Sequence, residues 1–291
     1  MAPAERVVAN VIVYTAWGKR TKYISRCMYD GIKRYDPSVR YLEEAEYKGP
    51  VAPVAVFYSL REKLWDIFNT YRTTEGLTAV YVDLGYWGRK LGGQLEGYHK
   101  VSVNARHPTA YFQRVQHDDR RRLVDFGIRF GKFRRGGKHI LLAGMGDKAA
   151  AAEGYRPEEY ERQAIAELRK YTDRKIIYRP KPSWQQAMPI DGTEFSNCKQ
   201  DLSEVLADCY CIVTHHSNVG VDGIIQGIPV ITQEGVATAF ARTEFSQIND
   251  LLYPEEGREQ WVNDICYTQW RPSEMRAGHT WRHLKDEGLV P

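Results

Sequence analysis

No run in these 291 residues is long and apolar enough to cross a bilayer. The opening Met1-Ala-Pro-Ala-Glu5-Arg6 also lacks the apolar core of a signal peptide. A soluble, cytoplasmic protein without a membrane partner is therefore expected. Cysteine is scarce: Cys27, Cys198, Cys209, Cys211 and Cys266 are odd in number and scattered, which argues against a disulfide framework. No His/Cys spacing fits a structural zinc site. An Asp-x-Asp motif is missing, and Gly144-Met-Gly146 lacks the third glycine of a dinucleotide fingerprint. There is no internal repeat or low-complexity block. The net charge of +4 does not by itself argue for nucleic acid.

What is present is an alternation of strand and helix patterns, the signature of parallel α/β sheets. Strands are expected at Val7–Tyr14, Pro53–Tyr58, Leu77–Val82 and Tyr98–Val103, with helices over Arg20–Arg34, Arg61–Tyr71 and Asp119–Gly127. After a linker-like Arg134-Arg-Gly-Gly137 the alternation restarts. Strands are expected at His139–Ala143, Lys175–Tyr178, Cys209–Val213 and from Val230, with helices at Pro157–Tyr171, Leu202–Asp208 and Val219–Gln226. The rest is expected to be largely helical, including Glu256–Tyr267 and Pro272–Asp286. The length suits two domains, each with its own core. We place them at residues 1–135 and 136–270, followed by a C-terminal helix over 271–291.

The most informative segment is Thr214-His-His-Ser-Asn-Val-Gly-Val-Asp-Gly-Ile-Ile-Gln-Gly-Ile-Pro-Val-Ile231. A buried strand ends in a polar cluster, a short helix follows, and Gly227-Ile-Pro229 leads into the next strand. Polar helix N-termini at the carboxyl edge of a parallel sheet suit phosphate groups. Ser217-Asn218, Asp222 four residues beyond Asn218, and Gly227-Ile-Pro229 together resemble the nucleotide-sugar segment of GT-B glycosyltransferases. The resemblance implies an α/β fold of two Rossmann-like parallel-sheet domains facing a central cleft, with the 271–291 helix crossing back to the first domain through Trp270, Trp281 and His283, aromatics that otherwise simply pack. It also implies that Ser217 and Asn218 meet the donor phosphates, that Asp222 holds the ribose, and that Glu234 contacts the sugar. Asp222 stands where that family more often has Glu, and Gly223 where a small Ala is usual.

Other loops at predicted strand ends extend this donor half. Gly144-Met-Gly146-Asp-Lys148 offers close backbone approach and a cation, or only a tight turn. Arg179-Pro-Lys181-Pro holds two cations on stiff backbone, suited to a diphosphate leaving group or to a surface turn. His216, beside His215, can reach a donor phosphate. A metal at the histidine pair needs carboxylates that the sequence does not place nearby, so no tightly bound metal is expected. The donor expected is a nucleotide-diphosphate sugar, a UDP-sugar first.

In the first half Asp83 ends an apolar strand and is followed by Gly85-Tyr86-Trp87, so it is the leading candidate base, with capping or a salt bridge as the alternative. His107 competes with it. Trp17, Lys19, Tyr58, Ser59, Tyr86 and Arg106 are candidates for the acceptor floor. Tyr111–Lys138 holds nine basic residues and three acids, a local excess of +6, interleaved with Tyr111, Phe112, Phe126, Phe130 and Phe133. This pattern fits either a polyphosphate surface, with Arg120, Arg121, Arg134 and Arg135 on the backbone of DNA, or a solvated basic face.

Tyr81-Val-Asp83-Leu-Gly85-Tyr86-Trp87, His99-Lys-Val101-Ser-Val-Asn104 and Arg106-His-Pro108 resemble bacteriophage glycosyltransferase-like proteins associated with hydroxymethylated pyrimidines in DNA. That resemblance implies double-stranded DNA with modified pyrimidines as acceptor, a flipped base, and residence in an infected bacterial cell. Three rivals remain: a transferase acting on a surface glycan, lipid carrier or polyol phosphate; a sugar-nucleotide epimerase; and a non-catalytic DNA-binding protein of the same fold.

Overall fold

The computed structural model describes residues 9–93, 95–111, 114–197 and 200–291. Val7, Phe112 and Cys198, which figure in the sequence expectations, lie outside them. The chain divides into two compact units: residues 1–126 with 263–291, and residues 127–262.

The first unit is built on β1 (Val11–Thr15), α1 (Lys19–Ile32), β2 (Arg40–Glu43), β3 (Val54–Tyr58), α2 (Glu62–Thr73), β4 (Thr78–Leu84), β5 (His99–Val103) and α3 (Arg121–Phe126). Alternation along the strands loads both faces. Val11, Val13, Val54, Val56, Val80 and Val82 meet Ile24, Cys27, Met28 and Ile32 of α1. Ile12, Tyr14, Ala55, Phe57, Ala79 and Tyr81 meet Leu64, Ile67, Phe68 and Tyr71 of α2. Both helical sets recur at three- and four-residue spacing, which gives each helix one apolar stripe. A sheet covered on both faces reads as unbroken apolar runs, and β1 and β3 are buried throughout.

The second unit comprises β6 (His139–Ala143), α4 (Asp147–Ala152), α5 (Glu159–Leu168), β7 (Lys175–Arg179), β8 (Glu194–Phe195), α6 (Leu202–Ala207), β9 (Cys209–Thr214), α7 (Val219–Gln226) and β10 (Val230–Thr232). Its sheet runs β10-β9-β6-β7-β8, and every pair is parallel. Ile140, Leu142, Ile176, Tyr178, Cys211 and Val213 form a core with Tyr160, Ala164, Ile165 and Leu168 of α5. The chain then passes through α8 (Arg258–Cys266) to β11 (Gln269–Trp270), α9 (Pro272–Ala277) and α10 (His279–Asp286). Met275, Trp281 and Leu284 are buried in the α1-side core of the first unit.

Three expectations need correction. β5 is antiparallel to β4, and β11 to β5, so the first sheet is mixed, in the order β11-β5-β4-β3-β1-β2. β2 was not anticipated, because its Arg-Tyr-Leu-Glu is polar and half-exposed at an edge, where one face needs no apolar cover. The helix expected over Pro272–Asp286 is two helices, broken where Gly278 adopts φ 86° at the end of α9. Cys27, Cys209, Cys211 and Cys266 are buried free thiols, and burial raises Cys27 to about 11 and Cys266 to about 12.

Candidate functional site

In the first sheet, the chain passes from β1 to β2 on one side and from β2 back across β1 to β3 on the other. The strand order therefore reverses at the β1/β3 boundary, the place where open α/β sheets form a crevice. A cleft of ≈ 900 Å³ opens there. Lys19, Arg20 and Thr21 come from the start of α1, Tyr58, Ser59 and Arg61 from the end of β3, and Asp83 from β4; Glu96 closes the far side. Gly18, at φ 126°, turns the chain from β1 into α1. Ser59 takes φ 59°, a left-handed conformation that costs a non-glycine residue and marks a turn held by its surroundings. Its N–H donates to the Val82 carbonyl at 3.3 Å.

The electrostatics centre on Asp83. Burial lifts the Tyr58 hydroxyl to about 12; the Asp83 charge adds to the rise, and Arg20 opposes it. Tyr81 is raised well above its ordinary value by burial and then by Asp83. Across the ladder Asp83 is paired with Lys100, which is 4% exposed. The Lys100 ammonium lies 3.2 Å from Nδ1 of His107 and 5.4 Å from the centre of the Tyr86 ring. Lys100 is thus paired with one candidate base across the ladder and lies beside the other. His107 lines a different hollow of ≈ 260 Å³, with Tyr111, Arg114, Trp270 and His283.

The remaining acceptor candidates are dispersed. Trp17 is 84% exposed. Tyr86 is buried, and its N–H donates to Oε1 of Gln269 at 2.5 Å. The Arg106 guanidinium lies 5.6 Å over Trp65. Sequence reasoning did not single out Arg20, Arg61, Glu96 or Lys100. Arg20 and Arg61 had a signal, since each sits just after a predicted strand end.

In the second unit the order reverses between β6 and β9. The Thr214 hydroxyl bridges these strands by donating to the Ala143 carbonyl at 3.1 Å, and it accepts from the Ser217 N–H at 3.2 Å. Ser217 Oγ in turn accepts from the Val219 N–H at 3.3 Å, at the start of α7, where Asn218 is the cap residue and Asp222 lies in the first turn. Gly144 is small for packing: a Cβ there would lie 2.8 Å from Tyr178 and 2.9 Å from Glu161. Its N–H donates to the Arg179 carbonyl at 2.9 Å, and that of Met145 to Glu161 at 2.6 Å. Burial raises the Glu161 carboxyl above its ordinary range. Gly146 caps α4 and underlies the Lys181 stem. The side chain of Lys148 lies outside the described residues. The Arg179 guanidinium bonds Ser196 Oγ at 3.1 Å and the Gln200 carbonyl at 2.7 Å, on the β8 side of its strand, whereas β9 lies beyond β6 on the other side.

The same edge gathers Glu153, His215, His216 and Glu234, whose ligand-type atoms all lie within 4.8 Å of one another. The two Nδ1 atoms are 2.9 Å apart. Glu153, just after α4, was missed because only the folded chain brings it to residues more than sixty positions later. It and Glu234 are the carboxylates that the sequence did not locate beside the histidines.

The basic stretch crosses both units, and several of its cations are used internally. Arg121 pairs with Asp119, and Arg122 with Glu274 at 2.8 Å. Arg134 donates to the Leu206 and Ala207 carbonyls at the end of α6. Arg135 lies 4.7 Å over the Tyr253 ring, and Lys138 pairs with Asp208. Arg120 immediately precedes α3, and its carbonyl accepts from the Val124 N–H at 3.0 Å.

No protein-family model matches the sequence, and no curated protein matches it. Among solved structures, the KpsC beta Kdo 2,7 transferase of Thermosulfurimonas dismutans is similar over 94% of this chain and 99% of that one, at 10% identity and a TM-score of 0.55. The KpsC beta Kdo 2,4 transferase of the same organism covers 82% of this chain and 89% of its own, at 11% identity and a TM-score of 0.48. At such identity the first likeness speaks to the fold alone, and the fold is α/β and GT-B-like, with two sheets dominated by parallel pairs.

Proposed function

We propose that the protein is a glycosyltransferase that moves a sugar from a nucleotide-activated donor to a hydroxyl of a carbohydrate or polyol-phosphate acceptor. One observation carries the reading: at the β1/β3 reversal an open cleft holds an acid, Asp83, with Tyr58 and Ser59 beside it and Lys19, Arg20 and Arg61 on its wall. Several hydroxyl-bearing and charged groups converging on one acid suit a polyhydroxylated, negatively charged acceptor. Asp83 would remove the proton of the attacking hydroxyl or stabilise the cationic sugar centre. Arginine grips anionic oxygens with paired N–H groups, which supports an acidic acceptor such as an acidic sugar or a phosphate. The donor would lie on the second unit, against the Ser217–Asn218 start of α7, with Asp222 on its ribose and Lys181 near its phosphates. The fold likeness to a Kdo transferase agrees with this class of chemistry.

Duplex DNA is the less favoured acceptor, because Arg122, Arg134 and Lys138 have partners within the protein. The test incubates the full chain with UDP-, GDP- and CDP-sugars and activated Kdo against acidic oligosaccharides, polyol phosphates and hydroxymethylated or plain DNA, and weighs the products. Sugar mass added to an oligosaccharide or polyol phosphate is the expected result. Mass added only to hydroxymethylated DNA would replace the acceptor assigned here, and no transfer from any donor would remove the enzyme reading.

A further inference from the structure

We infer that Glu153, His215, His216 and Glu234 form a binding site for a divalent transition-metal ion of the zinc class. Three loops of the second unit supply the set. Glu153 follows α4, the histidines follow β9, and Glu234 follows β10. Two imidazoles with two carboxylates make the mixed nitrogen and oxygen donor set that suits Zn²⁺, whereas a purely carboxylate cluster would favour Mg²⁺ or Ca²⁺. Ligands about 2.0–2.2 Å from a tetrahedral ion are roughly 3.4 Å apart. The ligand-type atoms all lie within 4.8 Å of one another, and the two Nδ1 atoms, hydrogen-bonded to each other at 2.9 Å, stand closer than the tetrahedral spacing, so side-chain rotations that trade this bond for the ion would close the shell.

The backbone beneath the cluster is fixed before any ion arrives. The His215 carbonyl accepts from the N–H of Gln233 at 3.1 Å, the N–H of Glu234 at 2.8 Å and the Thr232 hydroxyl at 2.9 Å. That knot ties the histidine loop to the glutamate loop. His215 itself is 6% exposed, and its ring meets Tyr155 and Tyr160 edge-on at 6.0 and 5.3 Å. A buried imidazole clamped by aromatic rings is preorganised, whereas Glu153 and His216 are half-buried and Glu234 is exposed, which leaves an entry path.

Two of its residues, His216 and Glu234, are also donor-site candidates, but binding is measured on the chain without donor or acceptor, so the outcome is read separately from that of sugar transfer. The full chain is stripped with a chelator and titrated with Zn²⁺ by calorimetry, and with Co²⁺ by visible absorption. One ion per chain is expected, and the Co²⁺ complex is expected to absorb as a low-coordinate nitrogen and oxygen site. Glu153→Gln and Glu234→Gln, which remove charge without opening the core, should each weaken Zn²⁺ binding at least tenfold, and His216→Ala more. A second cluster, His117, His283 and Glu287 of the first unit, supplies the control. Glu287→Gln should leave binding unchanged. Absence of a stoichiometric ion, or binding that is lost in Glu287→Gln and kept in Glu153→Gln, overturns the inference.

Discussion

Asp83 and Lys100 stand opposite each other in the β4–β5 ladder, an acid at the cleft and a buried cation on the same face of the sheet. That pairing separates two roles. Asp83 lines the cleft, whereas the Lys100 ammonium lies beside His107 and over the Tyr86 ring. Asp83→Asn keeps the shape and removes the charge. Turnover should fall about 10²- to 10⁴-fold, the range for a positioned acid or base, with donor affinity unchanged. Single-turnover kinetics with a donor titration checks this, and wild-type turnover would remove Asp83 from the chemistry. His107→Ala, in the separate hollow, should change turnover far less.

Gly31 of α1 packs directly on α9. A Cβ at Gly31 would lie 1.8 Å from the Met275 carbonyl oxygen and 3.1 Å from Cα of Gly278, both backbone atoms with nowhere to go. Gly31→Ala should therefore destabilise the chain by about 1–3 kcal/mol, although alanine is the better helix former. Urea denaturation measures it. An unchanged or raised midpoint would show that the two helices are not held at this distance.

Acid should weaken the fold through buried histidines. Burial lowers His99 from 6.5 to about 4, and His283 likewise to about 4, with the neighbouring charges of His117 and Arg122 contributing to the latter. A depressed histidine means the unfolded chain binds the extra proton first. Stability is thus full above pH 6.5 and falls as the pH drops from there toward 4. For fully buried His99 the loss is up to about 3 kcal/mol. Denaturation midpoints across this range should fall, and His99→Gln should flatten the slope. The same slope in that variant would dismiss His99 as a source.

How much of this was readable from the chain depends on whether a signal is local. The β9–α7–β10 segment was read almost to the residue. A continuous apolar run, a polar cap and Gly227 at φ 74° are each encoded within a few positions. The direction of β5 was not readable, because His-Lys-Val-Ser-Val carries no mark of which way its neighbour runs. The Gly144-Met-Gly146 loop reads in sequence as a phosphate cradle or a tight turn. Its Gly144 and Met145 amides also join β6 to Arg179 and Glu161, partners too distant in sequence to weigh. Glu153 and Lys100 were missed for the same reason, since a carboxylate or ammonium becomes part of a cluster only after the sheets have formed.

Arg134 gives the sharpest test of what the basic stretch is for. Its guanidinium donates to the Leu206 and Ala207 carbonyls at the end of α6, where a helix leaves carbonyls unsatisfied and a cation meets the negative end of its dipole. Hydrogen bonds to a charged group are worth about 1.5–3 kcal/mol, so Arg134→Ala should lower stability by an amount of that order. Arg121 pairs with Asp119 at the surface, where solvent screens the charges, and Arg121→Ala should leave stability nearly unchanged. If Arg134 tracked phosphates, its loss would reduce the salt dependence of DNA binding by about one ion. The expected result is the reverse pattern, a lower melting temperature with the salt slope intact. A stable Arg134→Ala protein with a shallower slope would return the stretch to nucleic acid.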